Sequence, residues 1–225
     1  MKTANRDIDR GLVLHLPLNE GAGSKVYDRS PYGNHGEVSF GGGGAGAFWA
    51  NTYLGKPVGT FDGAADRINV LTSTSLPTGL MNTGEWAVSC WAWRASDAVD
   101  ASTILMGIYH KPTLEFSSSA LTLRGIVSAS YTLIVSYPRP SNEEWHHIIW
   151  QQSNERNISQ ILLNGALVKS EAFTQLDSGA NRYQITGQDA DAGRMFKGYL
   201  SDYRIYDRAL SEQEARSLCD MRRRL

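Results

Sequence analysis

The sequence has little of several features that mark special classes of protein. No apolar run approaches the ~20 residues that a bilayer-spanning helix needs, so insertion into a membrane is not expected. The 22 Lys and Arg residues nearly balance the 23 Asp and Glu residues, which gives a net charge of −1. No basic surface is therefore expected to attract nucleic acid. The one charge cluster, three arginines at residues 222–224, predicts a solvated basic tail.

Cysteine is also scarce, and the start of the sequence shows no leader. Cys90 and Cys219 lie far apart and lack the spacing of metal ligands. Cys90 falls in an apolar strand pattern, which favours a buried free thiol over a disulfide with Cys219. Residues 1–10 are polar and charged, without the apolar stretch of a secretory signal, and are expected to form a flexible arm. The chain then stays where it is made, leaves by lysis, or has lost a signal.

What the sequence does contain is a series of short strand-like runs separated by Gly, Asn, Asp, Ser and Pro. Residues 11–18 alternate leucines with other side chains, which is the period of two that a strand requires. Similar runs occur at residues 67–71, 86–93, 103–109, 121–127, 131–137, 145–152, 158–163, 167–173 and 198–206. Between two of them, Asn164-Gly165 predicts a tight hairpin, because both residues tolerate positive φ.

Two further patterns point to the fold class. The run from Trp145 to Trp150 has apolar residues at both of its alternating sets of positions, which face opposite sides of a strand. This predicts a strand covered on both faces. Ser211 and Glu214 have the spacing of a helical capping box, so one helix is expected at about residues 211–221. Many strands and one terminal helix predict an all-β, two-sheet antiparallel sandwich or jelly roll in a single domain over residues 1–225. The run Gly41–Gly44 is read as a loop inside that domain.

Three segments carry a resemblance to a known family. They are LHLPLNEGAGSKVYDRSPYGNHG at residues 14–36, TFDG at residues 60–63 with DRINV at 66–70, and FKGYLSDYRIYDRALS at residues 196–211. With EWHH at residues 144–147 and the Asn164-Gly165 hairpin between them, the chain resembles the laminin G-like, concanavalin A-like jelly-roll family. This resemblance implies the fold across nearly the whole chain, but the family serves many functions.

The resemblance also implies a calcium site. Family members often hold a structural calcium at a loop such as residues 27–36, closed by an acidic residue near the last strand. Asp28 and Asn34 offer oxygen ligands in that loop, and Asp202 stands in the closing position. The alternative is that Asp28 and Ser30 make turns to their own backbone. Both interpretations remain open from sequence.

Catalysis is not expected. The acids of related glycoside hydrolases alternate along one strand as Glu-x-Asp-x-x-Glu, and no such run occurs here. His146 and His147 are neighbours and point to opposite faces of a strand, so they cannot bind one metal together. No P-loop, G-x-S-x-G or HExxH motif is present. The sequence therefore predicts a protein that is not an enzyme.

Aromatic residues are the remaining candidates for ligand binding, because a ring face packs well against the apolar face of a sugar. Trp86, Trp91, Trp93, Trp145 and Trp150 lie in strand patterns, and most are expected in the core. The candidates in or beside loops are Trp49, Tyr53, Tyr109, Tyr131 and Tyr137. Their alternative role is to cover sheet edges or to pack on a neighbouring subunit.

Two functions follow as expectations. The first is a structural or decoration component on a bacteriophage head or tail, whose partners are virion proteins or further copies of this chain. Its contacts would be the loop at residues 41–53 and the arginine tail. The second is a lectin-like carbohydrate-binding module of a secreted or cell-surface protein, with or without calcium. The lack of an apparent leader or linker favours the first.

Overall fold

The computed structural model describes residues 8–39, 48–53, 55–64, 66–77, 79–98, 103–108, 111–127, 130–177, 182–186 and 195–223, which form two sheets, a short 3-10 helix (Leu80–Thr83) and one α-helix. Sheet A contains, in spatial order, β14 (Ala166–Glu171), β13 (Ile158–Leu163), β12 (Trp145–Ser153), β7 (Glu85–Arg94), β16 (Lys197–Tyr206), β5 (Lys56–Asp62) and β4 (Trp49–Tyr53), with β1 (Leu12–Leu16) also beside β16. Sheet B contains β11 (Ser130–Pro138), β10 (Ala120–Val127), β9 (Lys111–Phe116), β8 (Thr103–Ile108), β15 (Arg182–Ile185), β6 (Arg67–Leu71), β3 (Gly36–Ser39) and β2 (Lys25–Val26).

The core lies between the two sheets. Every second side chain of the strands points into it, as the period-two pattern requires. Trp86 and Trp150 from sheet A meet Tyr183 and Phe116 from sheet B in one buried cluster. The antiparallel pairing of neighbouring strands confirms the predicted all-β sandwich.

Helix α1 (Glu212–Arg223) packs on the other face of sheet A. Its Ala215 and Leu218 belong with Ile149 to a second buried cluster. Strand β12 is therefore buried on both faces, as its double apolar pattern predicted. The capping box is also confirmed, since Ser211 Oγ accepts from the Glu214 backbone N–H at 3.2 Å and the Glu214 carboxylate accepts from the Ser211 backbone N–H at 2.8 Å.

Both ends of the described chain differ from expectation. Ile8 is buried beneath the helix, so the predicted flexible arm does not extend to residue 10. The helix continues to Arg223, and two of the three arginines of the predicted tail are helical. Cationic residues are favoured at that end by the helix dipole. Cys90 and Cys219 are both buried and are not joined in a disulfide, which confirms the interpretation of Cys90 as a buried thiol.

The expectation that residues 41–53 form a loop is wrong in part. Residues Trp49–Tyr53 form strand β4, which pairs with β5 in a hairpin. Gly55, at φ 73°, turns the chain between the two strands. Residues 41–47 lie outside the described part of the chain. The Asn164-Gly165 hairpin is confirmed, with positive φ at both residues.

Candidate functional site

The loop at residues 27–36 is organised by the carboxylate of Asp28, which is buried. Its Oδ1 accepts hydrogen bonds from the backbone N–H of His15 and of Ser30, both at 2.8 Å. Its Oδ2 accepts from Ser30 Oγ at 2.6 Å and from the Asn34 backbone N–H at 2.7 Å. Four donors therefore hold this carboxylate, and the local turns expected of Asp28 and Ser30 are present.

The side-chain amide of Asn34 is likewise held by hydrogen bonds within the protein. Its Oδ1 accepts from Ser73 Oγ at 2.7 Å, and its Nδ2 donates to the Val13 carbonyl at 2.9 Å and to Ser75 Oγ at 3.0 Å. These bonds join the loop to β1 and to the segment that follows β6. Asn34 therefore acts as a buried connector between three parts of the chain.

Asp202, the third residue expected at a calcium site, lies at an irregularity in β16 with φ 52°. Its carboxylate contacts His15 Nε2 at 2.7 Å and Arg204 Nη2 at 3.1 Å. Since the His15 backbone N–H also bonds Asp28, one histidine joins the loop to the last strand. Burial acts to raise the pKa of Asp202, but the hydrogen bond from His15 and the charge of Arg204 outweigh it and lower the pKa.

This arrangement predicts how stability responds to acid. Because the pKa of Asp202 is lower in the folded protein than in the unfolded chain, its contribution is complete above about pH 5 and begins to fall near the ordinary Asp pKa of about 3.9. It is lost as the pH falls further, through the lower pKa of the folded state. We expect Asp202→Asn, which tolerates the same backbone, to lower the free energy of unfolding at pH 7 by about 2 kcal/mol or more. Urea unfolding at pH 7 and pH 3 should show a smaller difference between the two pH values for the variant. An equal difference would contradict the assignment.

Calcium at Asp28, Asn34 and Asp202 stays a prediction. In the part of the chain that the structure describes, no group of three or more His, Cys, Asp or Glu side chains lies close enough to hold a metal ion. Oxygen atoms of all three candidates accept hydrogen bonds within the protein. A calcium ion would have to replace some of these donors.

The five aromatic candidates are dispersed over the molecule. Trp49 is half-buried in β4, where its Nε1 donates to the Gly23 carbonyl at 2.9 Å. Tyr131 and Tyr137 both lie within strand β11; Tyr131 is 40% exposed, whereas Tyr137 packs against the core. Tyr109 and the side chain of Tyr53 lie outside the described residues. Of the set, Tyr131 has an exposed ring on a sheet face.

A second set of polar residues was not found from sequence. Lys25, Glu37, Asn69 and Gln184, called here the polar row, lie directly opposite one another on β2, β3, β6 and β15. Their neighbours Val26, Val38, Ile68, Val70, Tyr183 and Ile185 are in the core, so the polar row is on the outer face of sheet B, away from sheet A. On β8, Gly107 stands opposite Gln184.

Three residues of the polar row, Lys25, Glu37 and Asn69, line a groove of about 620 Å³, and Gln184 lies beside it on the next strand. Lys25 and Glu37 are exposed, Asn69 is half-buried and Gln184 is buried, so exposure along the polar row decreases toward the middle of the sheet. Gln184 Nε2 donates to Asn69 Oδ1 at 3.2 Å, which fixes both amides. Leu71, 71% exposed, contributes an apolar side to the groove.

Farther along sheet B, a carboxylate is buried beneath Tyr131 on the same outer face. Glu115 is 0% exposed, and its neighbours in β9 point into the core. Its Oε1 accepts from Thr113 Oγ1 at 3.0 Å and from Tyr131 Oη at 2.8 Å. Its Oε2 accepts from Thr122 Oγ1 at 3.3 Å and lies 3.5 Å from Arg124 Nε. We call these residues the Tyr131 cluster.

Sheet A also carries aromatic residues on its outer face. Three of the five strand tryptophans, Trp86, Trp91 and Trp150, are buried, which confirms the expectation that most lie in the core. Trp145, Trp93 and Tyr199 lie opposite one another on β12, β7 and β16. All three are half-buried, with 4.8 Å between the ring centroids of Trp93 and Tyr199. This aromatic row lies beyond the part of sheet A that helix α1 covers, whereas Trp86 and Trp150 are in the core as expected.

Solved structures with a similar fold include binding domains of botulinum neurotoxins and of a Paraclostridial mosquitocidal protein. The botulinum neurotoxin serotype D binding domain matches with a TM-score of 0.70 and 15% identity, over 96% of this chain and 53% of that chain. The binding domain of Paraclostridial Mosquitocidal Protein 1 matches with a TM-score of 0.70 and 15% identity, over 95% and 53%. The binding domain of botulinum neurotoxin DC in complex with SialylT matches with a TM-score of 0.68 and 12% identity, over 96% and 52%.

The chain thus spans about half the length of these solved structures, and the likeness concerns the fold. No curated protein sequence matches it. In the described residues, no helix is both long and apolar enough to cross a membrane. A family model described as "Concanavalin A-like lectin/glucanases superfamily" matches residues 69–216, which is more than half of the sequence. The chain belongs to the concanavalin A-like lectin/glucanase superfamily.

Proposed function

We propose that this chain is a non-catalytic carbohydrate-binding module and that its ligand lies across the outer face of sheet B. The observation that carries this proposal is the polar row, in which four hydrogen-bonding side chains stand in register on four neighbouring strands. With strands ~4.8 Å apart, the distance from Lys25 to Gly107 is roughly 19 Å. Such a length accommodates several linked sugar rings rather than one.

The chemistry of the polar row suits sugar hydroxyls, which both donate and accept hydrogen bonds. Lys25 donates, Glu37 accepts, and the amides of Asn69 and Gln184 do both. The amides are fixed to one another before a ligand arrives, so less side-chain entropy is lost on binding. The exposed side chain of Leu71 offers an apolar contact for a ring face.

Relatives in fold support the same class of function. The binding domain of botulinum neurotoxin DC, which has this fold, has been solved in complex with a glycan, SialylT. Another botulinum neurotoxin DC binding domain of the same fold holds rat synaptotagmin II, a protein. Binding in that fold therefore extends to both ligand classes, and the hydroxyl-matched polar row favours the glycan for this chain.

The spacing of the acids supports a role without catalysis. Glu37 and Glu115 are the two carboxylates carried by the strands of sheet B. They are separated by four strand spacings, or roughly 19 Å. Hydrolysis of a glycoside requires two carboxyl groups about 5–9.5 Å apart. These two acids cannot act on one sugar bond.

The proposal is tested with variants of the groove. We expect the parent to bind at least one oligosaccharide of a broad panel in isothermal titration calorimetry. Asn69→Ala should weaken that binding by about tenfold or more, since it removes both the amide that contacts the ligand and the hydrogen bond that orients Gln184 Nε2. Glu37→Gln should weaken it less, because the amide can still accept a hydrogen bond.

The matched control is Asn154→Ala, in an exposed turn of sheet A. It should bind as the parent does. Loss of binding in Trp93→Ala with no loss in Asn69→Ala would place the ligand on the aromatic row of sheet A instead. A panel that yields no binding glycan would refute the proposed function.

A further inference from the structure

A second cavity lies between the loop at residues 27–36 and the segment at residues 73–80. Its volume is about 690 Å³, which is within the range of small-molecule sites. Its apolar part is formed by Val13 and Leu80, both buried, and by Tyr32, which is 57% exposed. The cavity shares no lining residue with the groove on sheet B, so it is a separate place on the molecule.

The polar wall of this cavity is better supplied with acceptors than with donors. Ser73 Oγ donates its proton to Asn34 Oδ1 at 2.7 Å, and Ser75 Oγ donates to the same atom at 3.4 Å. A hydroxyl has one proton and two lone pairs, so what these two hydroxyls still offer a ligand is lone pairs. The exposed hydroxyl of Thr74 can accept as well as donate.

Asp207 is the one charged residue among the described residues that line the cavity. It is exposed, and its backbone N–H donates to the Gly11 carbonyl at 2.9 Å. Gly11 leaves room for the carboxylate, because an added Cβ there would lie 2.4 Å from Asp207 Oδ1. The neighbouring Arg208 pairs with Glu214 instead. The Asp207 carboxylate is therefore available to a cationic ligand.

A second negative charge lies behind the wall of the cavity. Asp28 is buried, and all four of its hydrogen bonds come from neutral donors. Arg10 and Arg29 are exposed and do not line the cavity, and Asp9 is also exposed. Salt screens exposed charges strongly and buried charges much less. The local field in the cavity therefore favours a cation.

We propose that this cavity binds a primary ammonium group on a short alkyl chain, with the nitrogen donating to Asp207 and to the serine hydroxyls and the chain packing on Tyr32. An ammonium group has three donors and no acceptor, which matches a wall of lone pairs and one carboxylate. A lysine side chain and a free alkylamine both present this group. The inference goes beyond the proposed function, because the site is separate from the groove.

The first test compares 1-butylamine with 1-butanol and butyrate, which carry the same chain with a different head group. Titrations at pH 7 follow the backbone amide signals of Tyr32, Thr74 and Asp207 by NMR. We expect butylamine to bind with a Kd of about 1–10 mM, at least about fivefold tighter than the other two. Its affinity should fall about two- to fivefold between 50 mM and 500 mM NaCl. Tighter binding of butyrate, which Arg10 and Arg29 would favour, would overturn the inference.

The second test uses variants of the lining residues. Asp207→Asn should weaken butylamine binding about fivefold or more and leave 1-butanol unchanged, because only the ammonium gains from the carboxylate. Tyr32→Ala should weaken all chains alike, whereas Tyr32→Phe keeps the ring and should bind as the parent does.

Asp9→Asn is the matched control, since it removes the same charge from an exposed position that does not line the cavity. It should change butylamine affinity by less than about twofold. An equal loss in Asp9→Asn and Asp207→Asn would mean that a diffuse field attracts the amine, and it would overturn the site. Circular dichroism and urea unfolding of each variant establish that a loss of binding is not a loss of fold.

A last arm distinguishes the two sources of the ammonium group. Nα-acetyl-lysine methylamide that binds at least as tightly as butylamine would support the site and identify a protein lysine as its ligand. Tighter binding of butylamine would support the site and identify a free amine. If neither compound binds the parent, the inference is wrong, whether or not an oligosaccharide binds the groove on sheet B.

Discussion

Asp28→Ala is expected to lower the free energy of unfolding by about 3–5 kcal/mol. The substitution leaves three buried or half-buried backbone N–H groups, those of His15, Ser30 and Asn34, without their acceptor. Each unpaired buried donor costs about 1–3 kcal/mol. Urea unfolding at pH 7 followed by tryptophan fluorescence measures the change.

Arg29→Ala is the control for this prediction, because Arg29 is exposed and its backbone N–H, which bonds the His15 carbonyl at 2.7 Å, is kept. A change within about 0.5 kcal/mol is expected there. Melting of the parent with calcium and with a chelator tests the metal separately. A bound ion makes the chelator lower the melting temperature, and Asp28→Ala then removes that difference. An Asp28→Ala protein as stable as the parent would contradict both interpretations of the loop.

Gly198→Ala is expected to prevent stable folding. Gly198 lies in β16 at φ 145°, a backbone conformation that other residues rarely adopt, between Arg94 of β7 and Phe61 of β5. An added Cβ would come 2.0 Å from the Trp93 carbonyl oxygen and 3.1 Å from the Arg94 Cα. Both are backbone atoms of a central strand, so the strands must separate.

The expected loss exceeds about 4 kcal/mol, which is comparable to the whole stability of many domains. Soluble yield and the cooperativity of urea unfolding measure it. Gly33→Ala is the control, because Gly33 also has positive φ, at 70°, but its Cβ would meet nothing within 4 Å. It should lose about 1–2 kcal/mol. A Gly198→Ala variant that folds as well as Gly33→Ala would mean that β7 and β16 are not packed as described.

The fold could be predicted from sequence where the pattern of side chains is long and regular. Strand β12 and the capped helix α1 have such patterns, because burial on two faces and the capping box leave clear sequence signals. Strands β2 and β3 do not, since they contain only two and four residues. In β3 the inward position is taken by Gly36, whose Cβ would come 2.6 Å from Ile68 Cγ2. A glycine that fills a core position carries no hydrophobic signal.

The candidate site could also be predicted only in part, because only some of its residues lie close together in the sequence. Asp28 and Asn34 are close in sequence, and their role in the loop follows from local turn chemistry. The polar row joins residues that are distant in sequence, such as Asn69 and Gln184, and their adjacency depends on strand order. Glu115 gave no signal either, because its partners Thr122 and Tyr131 come from two other strands.

Attachment to a virus particle stays a prediction. It depended on the glycine-rich segment at residues 41–46, which lies outside the described residues, and on the arginine tail, which is helical as far as Arg223. Deletion of residues 41–46 followed by a particle-binding assay remains its test. Carbohydrate binding does not exclude that role, since a surface domain of a particle can also bind glycans.

The most direct test of the central claim is to locate a bound oligosaccharide by NMR. During titration with the best-binding saccharide, the backbone amide signals of Glu37, Asn69 and Gln184 should shift. The indole N–H signals of Trp93 and Trp145 should stay in place, because both residues lie on the outer face of sheet A, on the far side of the core. Shifts of those two indole signals, with the three amides of the polar row unchanged, would contradict the account.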